Sequence, residues 1–349
     1  MSGGVDSSVA ACILKDQGHD VIGVTMKLYE NDEIGLPKER TCCSKNDILD
    51  ARRVSAGLDI PYYVMNMQDD FKDKVIDKFI ESYECGITPN PCIDCNRYMK
   101  FDELFEKAKE LGCEYIATGH YAKIEKKDGR YLLKKATDLS KDQSYVLYML
   151  TQDQLSHTLF PLGDMSKPKA RALASSKGFR NAEKKDSQDI CFVPDGDYIK
   201  VIRSITGKDY PKGDFTDKDG NILGTHEGII NYTLGQRKGL GIALGKPAYV
   251  CGIDAKNNRV ILGDNEDLFT TTFLVNDINY IAFDDPPNEF KANVRIRYSH
   301  KEKPATVYPD GDVAKVVFDE PQRAITAGQA AVFYDGDYVI GGGTIVSSL

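Results

Sequence analysis

Apolar positions in this chain follow one spacing up to about residue 200 and another beyond it. In the first half, buried-strand runs alternate with stretches of helical period. The spacing predicts a helix over 6–16, a strand over 21–26 (VIGVTM), a helix over 46–58, a strand over 60–66 (IPYYVMN) and a long amphipathic helix over 69–84. A Pro/Asn/Cys loop follows, then a helix over 99–111 and the strand 114–118 (EYIAT). Strands separated by helical stretches of this length predict an α/β domain, a parallel sheet with helices on both faces. Beyond residue 200, short β-rich runs are punctuated by Asp-Gly pairs at 219–220, 310–311 and 335–336, which read as hairpin turns. The expected organisation is a catalytic domain over 1–198, a small β-rich central domain over 199–269 and a C-terminal β-barrel over 270–349.

Composition narrows the class. The 349 residues are 41% apolar and 28% charged, as in an ordinary globular chain. No apolar run reaches the length that crosses a bilayer, and the start lacks the pattern of a signal peptide. The expectation is a cytoplasmic protein with no membrane partner. Nine cysteines, at irregular spacing in a chain of this size, read as buried, reactive or metal-bound thiols rather than a disulfide framework. A net charge of −8 argues mildly against nucleic acid, yet two runs are locally basic. Residues 123–135 hold six basic side chains against two acidic, and 291–303 hold five against one. Taken alone, each run reads as a solvated polar face.

Three segments carry candidate chemistry. The loop Ser2-Gly3-Gly4-Val5-Asp6-Ser7-Ser8 places two glycines and three serines directly before a helix. A helix start offers unpaired N–H groups and a positive dipole end, which suits phosphate. The Gly-Lys-Ser/Thr ending of a Walker loop is absent. The second segment, Thr88–Phe101, stiffens its approach with Pro89 and Pro91 and puts Cys92 and Cys95 just ahead of a helix, a position that favours the thiolate. Cys42 and Cys43 are the remaining candidates for a structural zinc site, and their adjacent spacing suits a metal poorly. In the third segment, 184–194, Cys191 follows a polar loop with two lysines. Together they point to sulfur transfer. A pyrimidine carbonyl oxygen leaves poorly until it is adenylated, and sulfur can arrive as a persulfide on one cysteine while a second releases it.

The opening loop resembles the SGGxDS signature of the N-type ATP pyrophosphatases. Thr25-Met-Lys27, Thr88–Phe101, Ala117–Tyr121, Lys141–Tyr145, Asp186–Phe192, Thr233–Gly241, Arg297-Tyr298 and Ala327–Gln329 extend the resemblance over the whole chain, to the bacterial tRNA-specific 2-thiouridylases. The resemblance implies ATP with Mg, a tRNA substrate (for Lys, Glu and Gln) and a sulfur donor such as a cysteine desulfurase or sulfur-relay protein. It implies Cys191 as the persulfide carrier and Cys95 as its partner nucleophile. It places Ser2, Gly3, Gly4, Val5, Asp6, Ser7, Ser8, Met26 and Gly119 at the nucleotide. Asn90, Pro91 and Cys92 would meet the target base, and His120, Lys141, Asp142, Gln143, Arg297, Tyr298 and Gln329 the tRNA.

Two departures accompany it. Some members carry an aspartate where this chain has Cys92, which leaves open a 4Fe-4S (iron-sulfur) cluster on Cys92, Cys95 and Cys191. The short strand that leads into the loop in this family is missing before Ser2. The expectation is a truncated or wrongly assigned start, or a lost strand and a poorly anchored loop. Two other classes remain: a ligase of the same superfamily acting on a small molecule, and a non-catalytic RNA-binding protein with a structural metal.

Overall fold

The first helix, α1 (Val5–Asp16), begins where Gly4 stands extended as the N-cap, and it buries Val5, Val9, Cys12 and Leu14 on its inner face. It packs with Val54, Tyr121, Ala170, Ala174 and Phe179 into one apolar cluster. The architecture is that of a computed structural model describing residues 1–29, 45–184, 190–193 and 195–348. These form two units: Met1–Ile76, Cys92–Ile205 and Asp337–Val339 in the first, and Asp77–Pro91, Thr206–Gly336 and Ile340–Leu349 in the second.

In the first unit, β1 (Gly23–Lys27), α2 (Lys45–Gly57) and β2 (Tyr62–Asn66) follow α1. The two strands pair in parallel, Gly23 opposite Tyr62 and Lys27 opposite Asn66. Helical elements run over 68–84, whose part from Asp77 belongs to the second unit, and over 91–110; we call them α3 and α4, and each carries a π-helical stretch, Lys72–Asp77 and Cys95–Glu103. The expected strand over 114–118 is paired only at β3 (Ile116–Ala117), parallel to Thr158–Leu159. A hairpin of β4 (Ala122–Lys127) and β5 (Arg130–Lys135) follows. Further helices are α5 (Gln152–Ser156), α6 (Lys167–Ser176) and α7 (Tyr198–Thr206).

The second unit is β-rich. Gly213–Thr216, Ile222–His226, Tyr249–Asp254 and Arg259–Gly263 make a four-stranded sheet, around the aromatic group Phe215, His226 and Tyr232. Six further strands, from Phe269–Tyr280 to Tyr338–Ser348, run antiparallel and close on themselves through Phe273–Tyr280 pairing with Gly341–Ser348. Phe273, Val275, Val294, Val307, Val316 and Phe333 fill this barrel. The three Asp-Gly pairs all lie at strand connections, with Gly220, Gly311 and Gly336 at positive φ. That conformation costs glycine little. Residues 77–91 join this unit because Glu84 accepts hydrogen bonds from Lys208 and Tyr210, and 87–88 pack on the turn at 327–328. Among the described residues, no helix is long and apolar enough to cross a membrane.

Candidate active site

The loop before α1 is shaped by contacts that glycine alone permits. Gly3 sits at φ +70°, and a Cβ there would lie 2.4 Å from the Asp47 carbonyl oxygen. Gly119 closes on the other side, where a Cβ would come within 2.8 Å of the Asp6 and Ser7 backbone. The serines knit the loop together: Ser7 and Ser8 donate to the Gly4 carbonyl at 3.2 and 2.9 Å, and the Ser2 amide donates to Ser7 Oγ at 3.1 Å. No side chain caps α1, so its first-turn amides face the loop as an anion seat.

Residues distant in sequence grip this loop. Asn181, buried, donates through Nδ2 to the carbonyls of Gly3 and Gly4 and to Ser8 Oγ at 2.9–3.2 Å. Its Oδ1 has no partner among the described residues. Lys184 donates to the Gly3 carbonyl at 3.2 Å and to the carboxylates of Asp47 and Asp50. Burial pushes the Lys184 ammonium down, but the Asp47 and Asp50 carboxylates outweigh it and hold its pKa above the usual lysine value. Asp6 accepts from buried Lys167 at 2.8 and 2.7 Å and from the Tyr121 hydroxyl at 2.9 Å. The Thr25 hydroxyl, on β1, donates to the Met1 carbonyl. The loop expected to be poorly anchored is thus held from four directions. Met26, half-buried, stands next to Thr25 on β1. Lys141, Lys167 and Arg171 line a cavity of about 660 Å³ together with Ser140 and Ser166.

The cysteine segment differs from the expectation. The helix begins at Pro91, so Cys92 and Cys95 lie inside its first turns rather than ahead of it. Proline suits a first helical position because its missing N–H has no intrahelical acceptor there. Cys92 is exposed and Cys95 half-buried. Beside Cys95, Asn96 donates to the Val146 carbonyl at 3.0 Å and accepts from Lys100 at 2.8 Å. Lys100 also approaches His120 Nε2 at 3.5 Å, and His120 Nδ1 lies 2.7 Å from Thr118 Oγ1. An ammonium can only donate, so Nε2 accepts and Nδ1–H donates to the threonine. Burial first, and the Lys100 charge second, hold the His120 pKa well below the ordinary histidine value.

Cys191 is fixed through its neighbours. The Tyr29 hydroxyl donates to the Cys191 carbonyl at 2.8 Å; the Tyr29 ring meets Phe71, and Phe71 meets Phe192 edge-on. None of the seven described cysteines is in a disulfide. Cys42, Cys43 and residues 186–189 lie outside the described residues. Among those described, no three His, Cys, Asp or Glu side chains gather as a metal site. Cys92, Cys95 and Cys191 are not drawn together among the described residues.

The positions expected to touch tRNA divide. His120 and Asp142 are buried, at 7% and 6% exposure. Asp142 accepts from the amides of Ala136 and Ser144 and from the Ser144 hydroxyl, so it pins a turn. Gln143 accepts from the Tyr121 amide, and Lys141 is half-buried at the cavity. In the second unit, Gln329 Nε2 donates to the carbonyls of Thr88 and Pro89 at 2.9 and 3.1 Å, holding the approach to Asn90 and Pro91. Gly328 makes the fit possible, since a Cβ there would lie 2.4 Å from Ile87. Arg297 donates to Thr326 Oγ1 at 2.7 Å. Tyr298 is 45% exposed, with the Arg295 guanidinium 5.4 Å from its ring centroid.

Sequence reasoning passed over Asn181, Lys167, Tyr29 and Asp47. Only Lys184 carried a signal, as the first residue of the Cys191 segment.

Comparison with known proteins finds matches along almost the whole chain. The family profile described as tRNA methyl transferase HUP domain matches residues 1–195. A tRNA methyl transferase PRC-barrel domain matches 200–264, and an aminomethyltransferase beta-barrel domain 270–345. A protein of Clostridioides difficile named tRNA-specific 2-thiouridylase MnmA is 54% identical, over 100% of this chain and 97% of its own length. Proteins of the same name from Clostridium beijerinckii and Clostridium botulinum are each 53% identical, over 99% of this chain and 97% and 96% of theirs. On this similarity over its full length, the chain belongs to the tRNA-specific 2-thiouridylase family.

Proposed function

We propose that this chain replaces the C2 oxygen of the wobble uridine in tRNAs for Lys, Glu and Gln with sulfur, using ATP. One observation carries the reading. The anion seat and Cys191 are both tied to β1: Thr25 on the strand bonds the Met1 carbonyl directly before the loop, and Tyr29, two residues beyond the strand, bonds the Cys191 carbonyl. In parallel α/β sheets, ligands collect beyond the carboxyl ends of the strands. The family descriptions speak of methyl transfer and the relatives' names of thiolation. A methyl group arrives from a sulfonium donor that is already activated, so it needs no phosphate loop; the site chemistry favours thiolation.

In this reading the C2 oxygen attacks the α-phosphorus of ATP, and pyrophosphate leaves into the amides at the start of α1. The terminal sulfur of a persulfide on Cys191 then attacks C2, and AMP departs with the bonding pair. The Cys95 thiolate attacks the Cys191 sulfur, freeing the thiolated base and leaving a Cys95–Cys191 disulfide for an external thiol to reduce. The sulfur reaches Cys191 from a desulfurase or relay protein. Asn90, Pro91 and Cys92 meet the base, and Lys141, Gln143, Arg297 and Tyr298 meet the tRNA. The three-part division at 1–198, 199–269 and 270–349 and a cytoplasmic setting belong to the same proposal.

The test is thiouridine formation, read by mass spectrometry of nucleosides from tRNA incubated with the protein, ATP and a desulfurase. Cys95→Ser and Cys191→Ser should each abolish product, while Cys92→Ser should retain it. AMP release that depends on an amino acid rather than on tRNA would overturn the reading in favour of a small-molecule ligase.

A further inference from the structure

The basic run over 123–135 folds into one object, the β4–β5 hairpin, whose two-residue turn is Asp128-Gly129. Both turn residues stand at positive φ, +51° and +82°, the arrangement of a tight type I′ turn. At its base the hairpin is anchored: Ile124 lies opposite Leu133, which is fully buried. On the other face Lys123 lies directly opposite Lys134, an unfavourable pairing that Asp164 at 3.4 Å and Glu125 at 2.6 Å offset. Toward the tip the pattern changes. Lys127 lies directly opposite Arg130, and Lys126, on the alternate face, lies opposite Tyr131 with its ammonium 5.0 Å from the ring centroid. Residues 126–131 hold three cations and the single carboxylate of Asp128.

Like charges directly across a ladder destabilise it, and in a chain with net charge −8 general composition does not call for this concentration. The tip is exposed at Lys126 through Gly129, and its cations occupy both faces of a thin, stiff ribbon. A ligand that matches this is a chain of regularly spaced negative charges.

We infer that the tip of the β4–β5 hairpin, through Lys126, Lys127 and Arg130, contacts the sugar-phosphate backbone of the tRNA substrate. This rests on the tRNA reading above and adds to it a binding surface that no motif of the family resemblance included. The contact is electrostatic, so it contributes affinity and its salt dependence rather than choice of base.

The experiment measures fluorescence anisotropy of a labelled tRNA transcript with uridine at the first anticodon position, over a salt series, for the full chain and for Lys126→Gln/Lys127→Gln/Arg130→Gln. The expected result is a Kd raised roughly tenfold near 0.1 M salt and a shallower slope of log affinity against log salt, by about two counterions. Thermal unfolding should be no lower than in the wild type, since the substituted residues sit at the tip and their like-charge pairing is removed. ATP–pyrophosphate exchange at saturating tRNA should persist. Equal Kd and equal slope for variant and wild type would overturn the inference. So would normal tRNA binding with loss only of sulfur delivery from the desulfurase, which would assign the tip to a protein partner. Failure of the wild type itself to bind tRNA would instead sink the function proposed above.

Discussion

Two short loops bear on the proposed chemistry, and they are held in opposite ways. The phosphate loop is gripped by charge: Lys184 against Asp47 and Asp50, and Lys167 against Asp6, with Asn181 threading the backbone. The approach to the target-base residues, Thr88-Pro89, is gripped without charge, by one amide group of Gln329 and the close pass of Gly328. In the proposed function the difference follows from what each loop would meet. A seat for pyrophosphate has to keep its donors aimed while a large negative charge arrives and leaves, and ion pairs behind and within the loop hold it still. A loop that receives an uncharged base needs only its backbone path set.

The largest expected effect breaks the charged grip. Lys167→Met leaves the Asp6 carboxylate without its bidentate partner. Removing one member of a buried pair costs about 3–5 kcal/mol, and partial exposure of Asp6 brings the expected loss to about 2–3 kcal/mol in urea unfolding. ATP binding should weaken with it. Unchanged unfolding would show that the pair is no grip at all.

A pH series gives the next. His120 is buried in its neutral form, with its pKa lowered by burial and by Lys100. Below the unfolded value near 6.5 the unfolded chain binds a proton that the folded chain does not, so stability falls as pH drops. The slope is about 1.4 kcal/mol per pH unit down to the folded pKa. His120→Asn should flatten this slope in unfolding measured between pH 7.5 and 5.5. His226 and His300, also lowered by burial, add in the same direction and should remain. An unchanged slope in the variant would place His120 outside the titrating core.

The uncharged grip should yield less. Gln329→Ala frees two backbone carbonyls, costing about 1–2 kcal/mol if they lose their donor unreplaced. The distinguishing result is in kinetics. If Gln329 positions the loop, kcat for thiolation falls while KM for tRNA stays close to the wild type. A raised KM with unchanged kcat would make it a tRNA contact instead. The smallest effect is expected from Tyr29→Phe, which removes one hydroxyl from the Cys191 carbonyl and leaves the ring on Phe71. Stability should fall by about 1 kcal/mol or less. Alkylation of Cys191, followed by peptide mass spectrometry, should change in rate if the bond fixes that segment, and stay constant if it does not.

Much of this was legible in the residues. The period change near 200 marked the passage from α/β to β-rich structure, and the Asp-Gly pairs marked real hairpin turns. The loop before α1 was readable because glycine and serine before a helix have few other uses. The start of α4 was misplaced, because the two prolines suggested a stiff loop where Pro91 in fact opens the helix. His120 and Asp142 stand in linear motifs that give no sign of depth; only the structure shows that both are buried.

The sequence by itself determined the elements, the chemistry of the reactive groups and the family, because these depend on local spacing and residue type. The tertiary structure alone decided what holds those groups. Lys167 reaches Asp6 across 161 positions and Asn181 reaches Gly3 across 178. No local pattern encodes such a pairing, since a hydrogen bond depends on where two side chains end in space and not on how far apart they stand along the chain.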